Sequence, residues 1–110
     1  MADPIRVAML GASGRMGRSI IPLVAADIEG LQLSGALVAR DDPAVGQDAG
    51  AFAGTAPLAL AITDDPRRAL VEASVAIDFT VAYASIRNAQ LCRELGLEEA
   101  NKLMASDVVV

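Results

Sequence analysis

The sequence predicts a doubly wound α/β domain built on a mostly parallel sheet, and three observations carry that expectation. Short apolar runs alternate with stretches of helical spacing along the chain. The connections between these runs are too long for hairpins and match right-handed crossovers. Gly11, Gly14 and Gly17 fall where the first apolar run passes into the first helical stretch, the turn at which this class binds phosphates. The chain's 110 residues can enclose one real core and not two, so residues 1–110 are taken as a single domain.

The elements follow in order. "IRVAML" (Ile5–Leu10) is a short apolar run ended by glycine, as in a buried parallel strand. From Arg15 to about Ile28, the residues Met16, Ile20, Leu23 and Val24 recur at helical spacing, and "EG" closes the helix. Pro22 conflicts with that helix locally and predicts a kink. A second strand covers Leu31–Ala39. Asp41 to Pro57, rich in Asp, Gly, Ala and Pro, is expected to be a long surface loop with room for one helical turn. Leu58–Thr63 is a third strand despite its alanines. In "DDPRRALVEA", Asp65 suits an N-cap and Pro66 the first helical position. Ser74–Thr80 is a fourth strand, and "YASIRNAQLCREL" a helix ending at Gly96. Leu97–Ala105 then reads as a helix and Asp107–Val110 as a short strand.

Composition closes off several chemistries. A net charge of −5 and an aromatic content of 3%, without tryptophan, offer neither a basic footprint nor stacking platforms for nucleic acid. No apolar run approaches the ~20 residues of a membrane span, so no membrane partner is expected. "MADPIRV" lacks a basic leader followed by an apolar region, and only one cysteine, Cys92, is present. A cytoplasmic location is therefore expected. Cys92 is read as a helix-packing residue, with a reactive thiol as the alternative. Histidine is absent, which removes Ser-His-Asp and Cys-His pairs and histidine metal sites. No metal is expected.

The three glycines call for a physical reason, because each costs roughly 0.5–1 kcal/mol relative to alanine inside regular structure. Gly11 would turn the chain sharply out of the first strand. Gly14 would let backbone N–H groups approach a pyrophosphate, and Gly17 would let the first helix pack closely. The helix N-terminus adds unpaired donors and the positive end of its dipole. The spacing is G-x-x-G-x-x-G rather than the usual G-x-G-x-x-G, and a glycine-rich packing turn is the plainer alternative. Arg15 and Arg18 oppose the helix dipole unless an anion binds nearby, so Arg15 is a phosphate-holding candidate. At the end of the second strand, "GALVARDD" has no carboxylate at its tip and Arg40 just behind it. That arrangement favours a 2′-phosphate and hence NADPH, with NADH left open. The alternative is a loop arginine paired with Asp41 or Asp42.

Taken together, "IRVAMLGASGRMGRSII", "LSGALVARDDPAVGQDAG" and "VAIDFTVAYASIRNAQLCRELG" resemble the N-terminal domain of 4-hydroxy-tetrahydrodipicolinate reductase. That family, also called dihydrodipicolinate reductase, belongs to the diaminopimelate–lysine pathway. The resemblance covers about residues 4 to 96, and "GxxGRMGR", "GxDAG" and "IDFT" in this order make it specific. It implies a Rossmann-like fold that binds NAD(P)H. In the resemblance, Gly11, Ala12, Ser13, Gly14, Arg15 and Met16 wrap the pyrophosphate. The tip of the second strand, here with Arg40, reads the adenosine ribose. Asp78–Thr80 lies near the nicotinamide, through Phe79 and Thr80.

Two departures from the family pattern matter. The family commonly places an acid and then a basic residue at the second strand tip, where this chain has Val38 and Ala39. After "CRELG" the family continues with an apolar strand and a "GTTG" loop, whereas this chain passes directly to "LEEANKLMASDVVV". The tail resembles the segment beyond that loop, as though a strand and its loop were removed. The sheet is therefore expected to be incomplete on its C-terminal side. Either "DVVV" pairs beside "VAIDF", or an exposed edge promotes self-association. The family's histidine pair, its lysine and its "SGT" segment are not in these residues, so no catalytic residue is assigned and the 110-residue chain is not expected to reduce substrate. The alternatives are a non-catalytic nucleotide- or CoA-binding module of similar fold, and a truncated or engineered folding fragment that retains no ligand.

Overall fold

Strand β1 (Ile5–Leu10) can occupy the centre of a sheet because both of its faces are apolar. Val7 and Met9 enter one core, and Ala8 and Leu10 enter the other. In a computed structural model, which describes residues 4–26, 30–80, 82–96 and 98–99, β1 pairs in parallel with two neighbours. These are β2 (Leu31–Leu37) and β3 (Val75–Asp78). The two-residue β4 (Glu98–Glu99) adds to the far side of β3, giving the order β2-β1-β3-β4. The β1–β2 register shifts between Val7 and Ala8, whose partners are Leu33 and Gly35. Ser34 is thereby left over as a bulge residue.

Helices cover both faces, as the sequence predicts. On one side α1 (Arg15–Ala25) buries Ile21 and Val24 against Val7, Met9, Leu33 and Ala36. On the other, α3 (Pro66–Leu70) and α4 (Ala82–Leu95) bury Ala69, Leu70, Leu91 and Cys92 against Ala8, Leu10, Leu37 and Ala76. Cys92 is thus a packing residue. The Asp41–Pro57 stretch contains one helical turn, α2 (Ala49–Phe52). The expected caps of α3 are present: Pro66 opens the helix and the Asp65 carboxylate accepts from the Arg67 N–H at 3.1 Å.

Several boundaries differ from expectation, each for a local reason. α1 runs through Pro22 and stops at Ala25, where the Ala26 N–H closes on the Pro22 carbonyl at 3.0 Å. β2 ends at Leu37, because the Val38 N–H turns to the Thr63 carbonyl at 2.9 Å. The third strand, Leu58–Thr63, does not form as a ladder. Only Thr63 bridges to Leu37, while Leu60 and Ile62 bond back to Gly46, Gln47 and Ala49. Ala59 sits at a φ of +55°, and alanine has little preference for a pleated strand. Thr63 nonetheless marks the outer side of β2. The fourth strand shrinks to Val75–Asp78, because the Asp78 carboxylate captures the Thr80 N–H at 2.9 Å and bends the chain. The helix expected from Leu97 is replaced at Glu98–Glu99 by β4. Gly96, with a φ of +75°, ends α4 in the left-handed conformation and returns the chain to β3. The rest of that expected helix and the strand Asp107–Val110 lie outside the described residues.

Candidate functional site

Strand order reverses beside β1: the chain runs outward to β2 and then crosses back to β3. The carboxyl ends of these strands therefore open a crevice, the usual ligand position in a doubly wound sheet. Three segments meet there: Gly11–Gly14 after β1, Val38–Asp42 after β2, and Phe79–Thr80 after β3.

The glycine loop is anchored to its neighbours. The N–H groups of Gly11 and Ala12 both donate to the Leu37 carbonyl at 2.9 Å, and that of Gly14 donates to the Gly11 carbonyl at 3.2 Å. Gly11 has a φ of +89°, and a Cβ there would come within 3.1 Å of the Phe79 backbone. A Cβ on Gly17 would overlap the Gly11 carbonyl and lie 2.8 Å from the Ala12 Cα. Both glycines have reasons within the fold. Gly14 does not: its φ is −75°, and its Cβ would meet only the Gly11 carbonyl, at an ordinary 3.4 Å. Gly14 is exposed at the N-cap of α1, which no side chain caps. Among the described residues, the N–H groups of Ser13, Arg15 and Met16 find no protein acceptor. The outcome is an open, donor-rich helix end beside a residue with no side chain.

The charges sort themselves by position. Arg18 lies over the Phe52 ring, 5.8 Å from its centroid. Arg15 is exposed, and both arginines line a surface recess of about 380 Å³ with Ser19, Phe52, Ala53 and Gly54. Met16 is also exposed. A second recess, of about 350 Å³ and lined in part by Pro4, Leu31 and Leu33, opens at the amino end of the strands, away from the crevice.

After β2 the chain turns back. The Asp42 N–H donates to the Ala39 carbonyl at 3.1 Å, and Asp41 holds a φ of +68°. Arg40 is exposed on this turn and, among the described residues, forms no ion pair with Asp41 or Asp42. The Asp42 carboxylate instead accepts from the Ala44 N–H at 2.8 Å and from the Ser13 hydroxyl at 2.7 Å. Those two donors, Ala44 foremost, hold its pKa below the usual carboxylate range. The sequence reading gave Asp42 no role of its own. The one signal was Asp42 two residues before Ala44, the spacing of an Asx turn.

Beyond β3, a polar cluster fixes the third segment. Among the described residues, the buried polar side chains are Asp78, 1% exposed, and Asn88, 5%. The Thr80 hydroxyl donates to Asp78, and the Asn88 amide donates to Asp78 and to the Thr80 hydroxyl at 3.4 Å each. Phe79 joins the ladder end through its N–H, which donates to the Leu10 carbonyl at 3.0 Å. Thus Phe79 and Thr80 lie directly against Gly11, while Arg40 stands on the outer side of the crevice. The sequence marked Asp78 only as part of "IDFT" and did not single out Asn88, since an Asp–Asn pair ten residues apart is visible only once α4 folds back.

Comparisons with known proteins agree with this geometry. The family model described as dihydrodipicolinate reductase, N-terminus, matches residues 5–99. A 4-hydroxy-tetrahydrodipicolinate reductase of Anaeromyxobacter sp. is 55% identical over 93 residues, covering 84% of this chain and 34% of the relative. The enzyme of the same name from Trichlorobacter lovleyi is 41% identical over 102 residues, 93% of this chain and 36% of the relative. The chain thus spans about a third of the length of these curated relatives. Among solved structures, an amine dehydrogenase from Mycobacterium smegmatis superposes with a TM-score of 0.72 at 26% identity, over 84% of this chain and 28% of that one. An aspartate semialdehyde dehydrogenase with NADP from Candida albicans gives 0.67 at 17% identity, over 86% of this chain and 28% of that one, a likeness of fold alone. With its glycine loop, its switch-point crevice and a family match over nearly all of its described length, the chain belongs to the dihydrodipicolinate reductase family and carries that family's N-terminal, dinucleotide-binding domain.

Proposed function

We propose that the chain binds a reduced pyridine dinucleotide, NADPH by preference and NADH as well, as the cofactor domain of a 4-hydroxy-tetrahydrodipicolinate reductase. The observation that carries this reading is Gly14. Among the described residues, a Cβ there would meet only the Gly11 carbonyl, at an ordinary 3.4 Å, and Gly14 stands at the α1 N-terminus that no side chain caps. The donor set fits an anion: the N–H groups of Ser13, Arg15 and Met16 with the Arg15 guanidinium for the pyrophosphate, and Arg40 for a 2′-phosphate. Gly11 and Ala12 shape the loop through their bonds to Leu37. Phe79 and Thr80 would border the nicotinamide. A bound reduced nicotinamide supplies a hydride; the residues described above bind and orient. No residue of this chain is given a proton-transfer role, so the 110 residues are proposed to bind without turnover. Self-association through the β3 edge and a cytoplasmic location belong to the same proposal.

Calorimetric titration of the chain with NADPH, NADH and CoA tests it. Binding of both dinucleotides, NADPH the tighter, is expected. Binding of CoA alone would identify a different nucleotide module, and no binding would leave a fold without its ligand. If Arg40 meets the 2′-phosphate, its charge-assisted bond is worth about 1.5–3 kcal/mol, or roughly tenfold and more. Arg40→Ala should then weaken NADPH much more than NADH; equal losses would make Arg40 a loop residue only.

A further inference from the structure

Four polar side chains, Asp78, Thr80, Ser85 and Asn88, gather at the carboxyl end of β3, where Phe79 and Thr80 border the crevice. One oxygen of the Asp78 carboxylate accepts from both the N–H and the hydroxyl of Thr80, and the other accepts from the Asn88 amide. The Asn88 amide also reaches the Thr80 hydroxyl at 3.4 Å, and the Ser85 hydroxyl stands 3.1 Å from it. We propose that Asn88 and Ser85 are positioning residues for the nicotinamide end of the cofactor site. They hold the Thr80 hydroxyl inside the fold, so that the Phe79–Thr80 turn is a fixed wall that offers the ring no hydroxyl. This inference rests on the dinucleotide reading of the crevice and adds to it two residues that act through Thr80 rather than on the ring.

Hydrogen-bond capacity is the first support. A threonine hydroxyl has one proton to donate and two acceptor positions. The Thr80 proton goes to Asp78, so Ser85 is the donor in the 3.1 Å pair, and the Asn88 amide fills the remaining position. Nothing of that hydroxyl is left for a ligand. The second support is the geometry of α4. Ser85 and Asn88 stand three residues apart, hence as neighbours on one helix face, and both meet Thr80. α4 therefore grips the turn at two points. The third is place. The core on this side of the sheet is otherwise apolar, from Ala8 and Leu10 to Leu91 and Cys92, and the polar cluster is confined to its crevice end. A satisfied polar network rigidifies what it joins. The Phe79 backbone also lies 3.1 Å from where a Gly11 Cβ would stand, so the wall abuts the phosphate loop. The two ends that a dinucleotide must span are thus fixed relative to each other.

The test titrates the 110-residue chain, Ser85→Ala and Asn88→Leu with NADPH and with 2′-phospho-ADP-ribose, which is NADPH without its nicotinamide. Circular dichroism confirms the fold of each. Both variants should bind NADPH about three- to tenfold more weakly, the scale of one neutral hydrogen bond, and 2′-phospho-ADP-ribose like the parent. A loss confined to the ligand that carries the ring is the signature, because a general loosening of the fold would weaken both. Equal losses, or an unchanged NADPH affinity, in either folded variant would overturn the positioning role and leave the dinucleotide reading intact. Tighter NADPH binding by Ser85→Ala would do the same, since a released Thr80 hydroxyl would then be binding the ring. A parent that binds the two ligands equally would also overturn the proposal, because the ring would make no contact to be positioned. A parent that binds neither would overturn both readings. Ser85 is only half-buried and meets the turn through its hydroxyl, so Ser85→Ala decides alone if Asn88→Leu does not fold.

Discussion

Asp48 ties together more backbone than any other described side chain. Its carboxylate accepts from the Ala51 N–H at 2.9 Å, capping α2, and from the Leu58 and Leu60 N–H groups at 3.0 Å each. Gly50 is needed beside it, because a Cβ there would overlap the Ala56 carbonyl. The "GxDAG" pattern, legible in the sequence only as a family mark, is thus a clamp on the Asp48–Leu60 loop. Its backbone bonds, led by that from Ala51, hold the Asp48 pKa below the ordinary value, as Ala44 and Ser13 do for Asp42. A carboxylate with a depressed folded pKa stabilises fully above its unfolded pKa, about 3.9, and loses that contribution as pH falls through the folded value. Asp48→Asn should therefore lower Tm at pH 7 and flatten the loss of stability between about pH 5 and pH 2. Thermal unfolding across that range checks it, and an unchanged acid limb would remove Asp48 from the account.

At the scale of elements, what the sequence revealed depended on how local the cause was. β1, α1 and the caps of α3 follow from runs and caps within a few residues, and they form close to where they are expected. Leu58–Thr63 was misread because its hydrogen bonds go to the loop at Gly46–Ala49, a partner no periodicity reveals. The reason for Gly35 was equally hidden: in mid-strand it admits α3, since a Cβ would overlap the Ala69 carbonyl. Gly35→Ala should destabilise the domain by about 1–3 kcal/mol, the usual range for overpacking a filled core. Urea unfolding measures this, and a variant as stable as the parent would show that α3 can move aside.

For the molecule as a whole, the doubly wound class was legible because alternation and crossover lengths are global properties of the chain. The crevice was legible in part. Its glycine loop is local in sequence, but the Ser13–Asp42 bond spans 29 residues and the Asp78–Asn88 pair is brought together by α4. Among the described residues, two residues of β4 pair with Val75 and Ala76 on the sheet's C-terminal side. Concentration-dependent dimerisation is expected through this short edge. Sedimentation equilibrium should show a mass that rises with concentration, whereas a constant monomer mass would contradict this expectation. The central claim is that the open end of α1 is a dinucleotide phosphate site, and Gly14→Val tests it most directly. A Cβ added at Gly14 would come no closer than 3.4 Å to the described atoms beyond its chain neighbours, so the variant should fold. It should nevertheless bind NADPH at least about tenfold more weakly, roughly 1.4 kcal/mol. A folded Gly14→Val chain that titrates with NADPH like the parent would contradict the account.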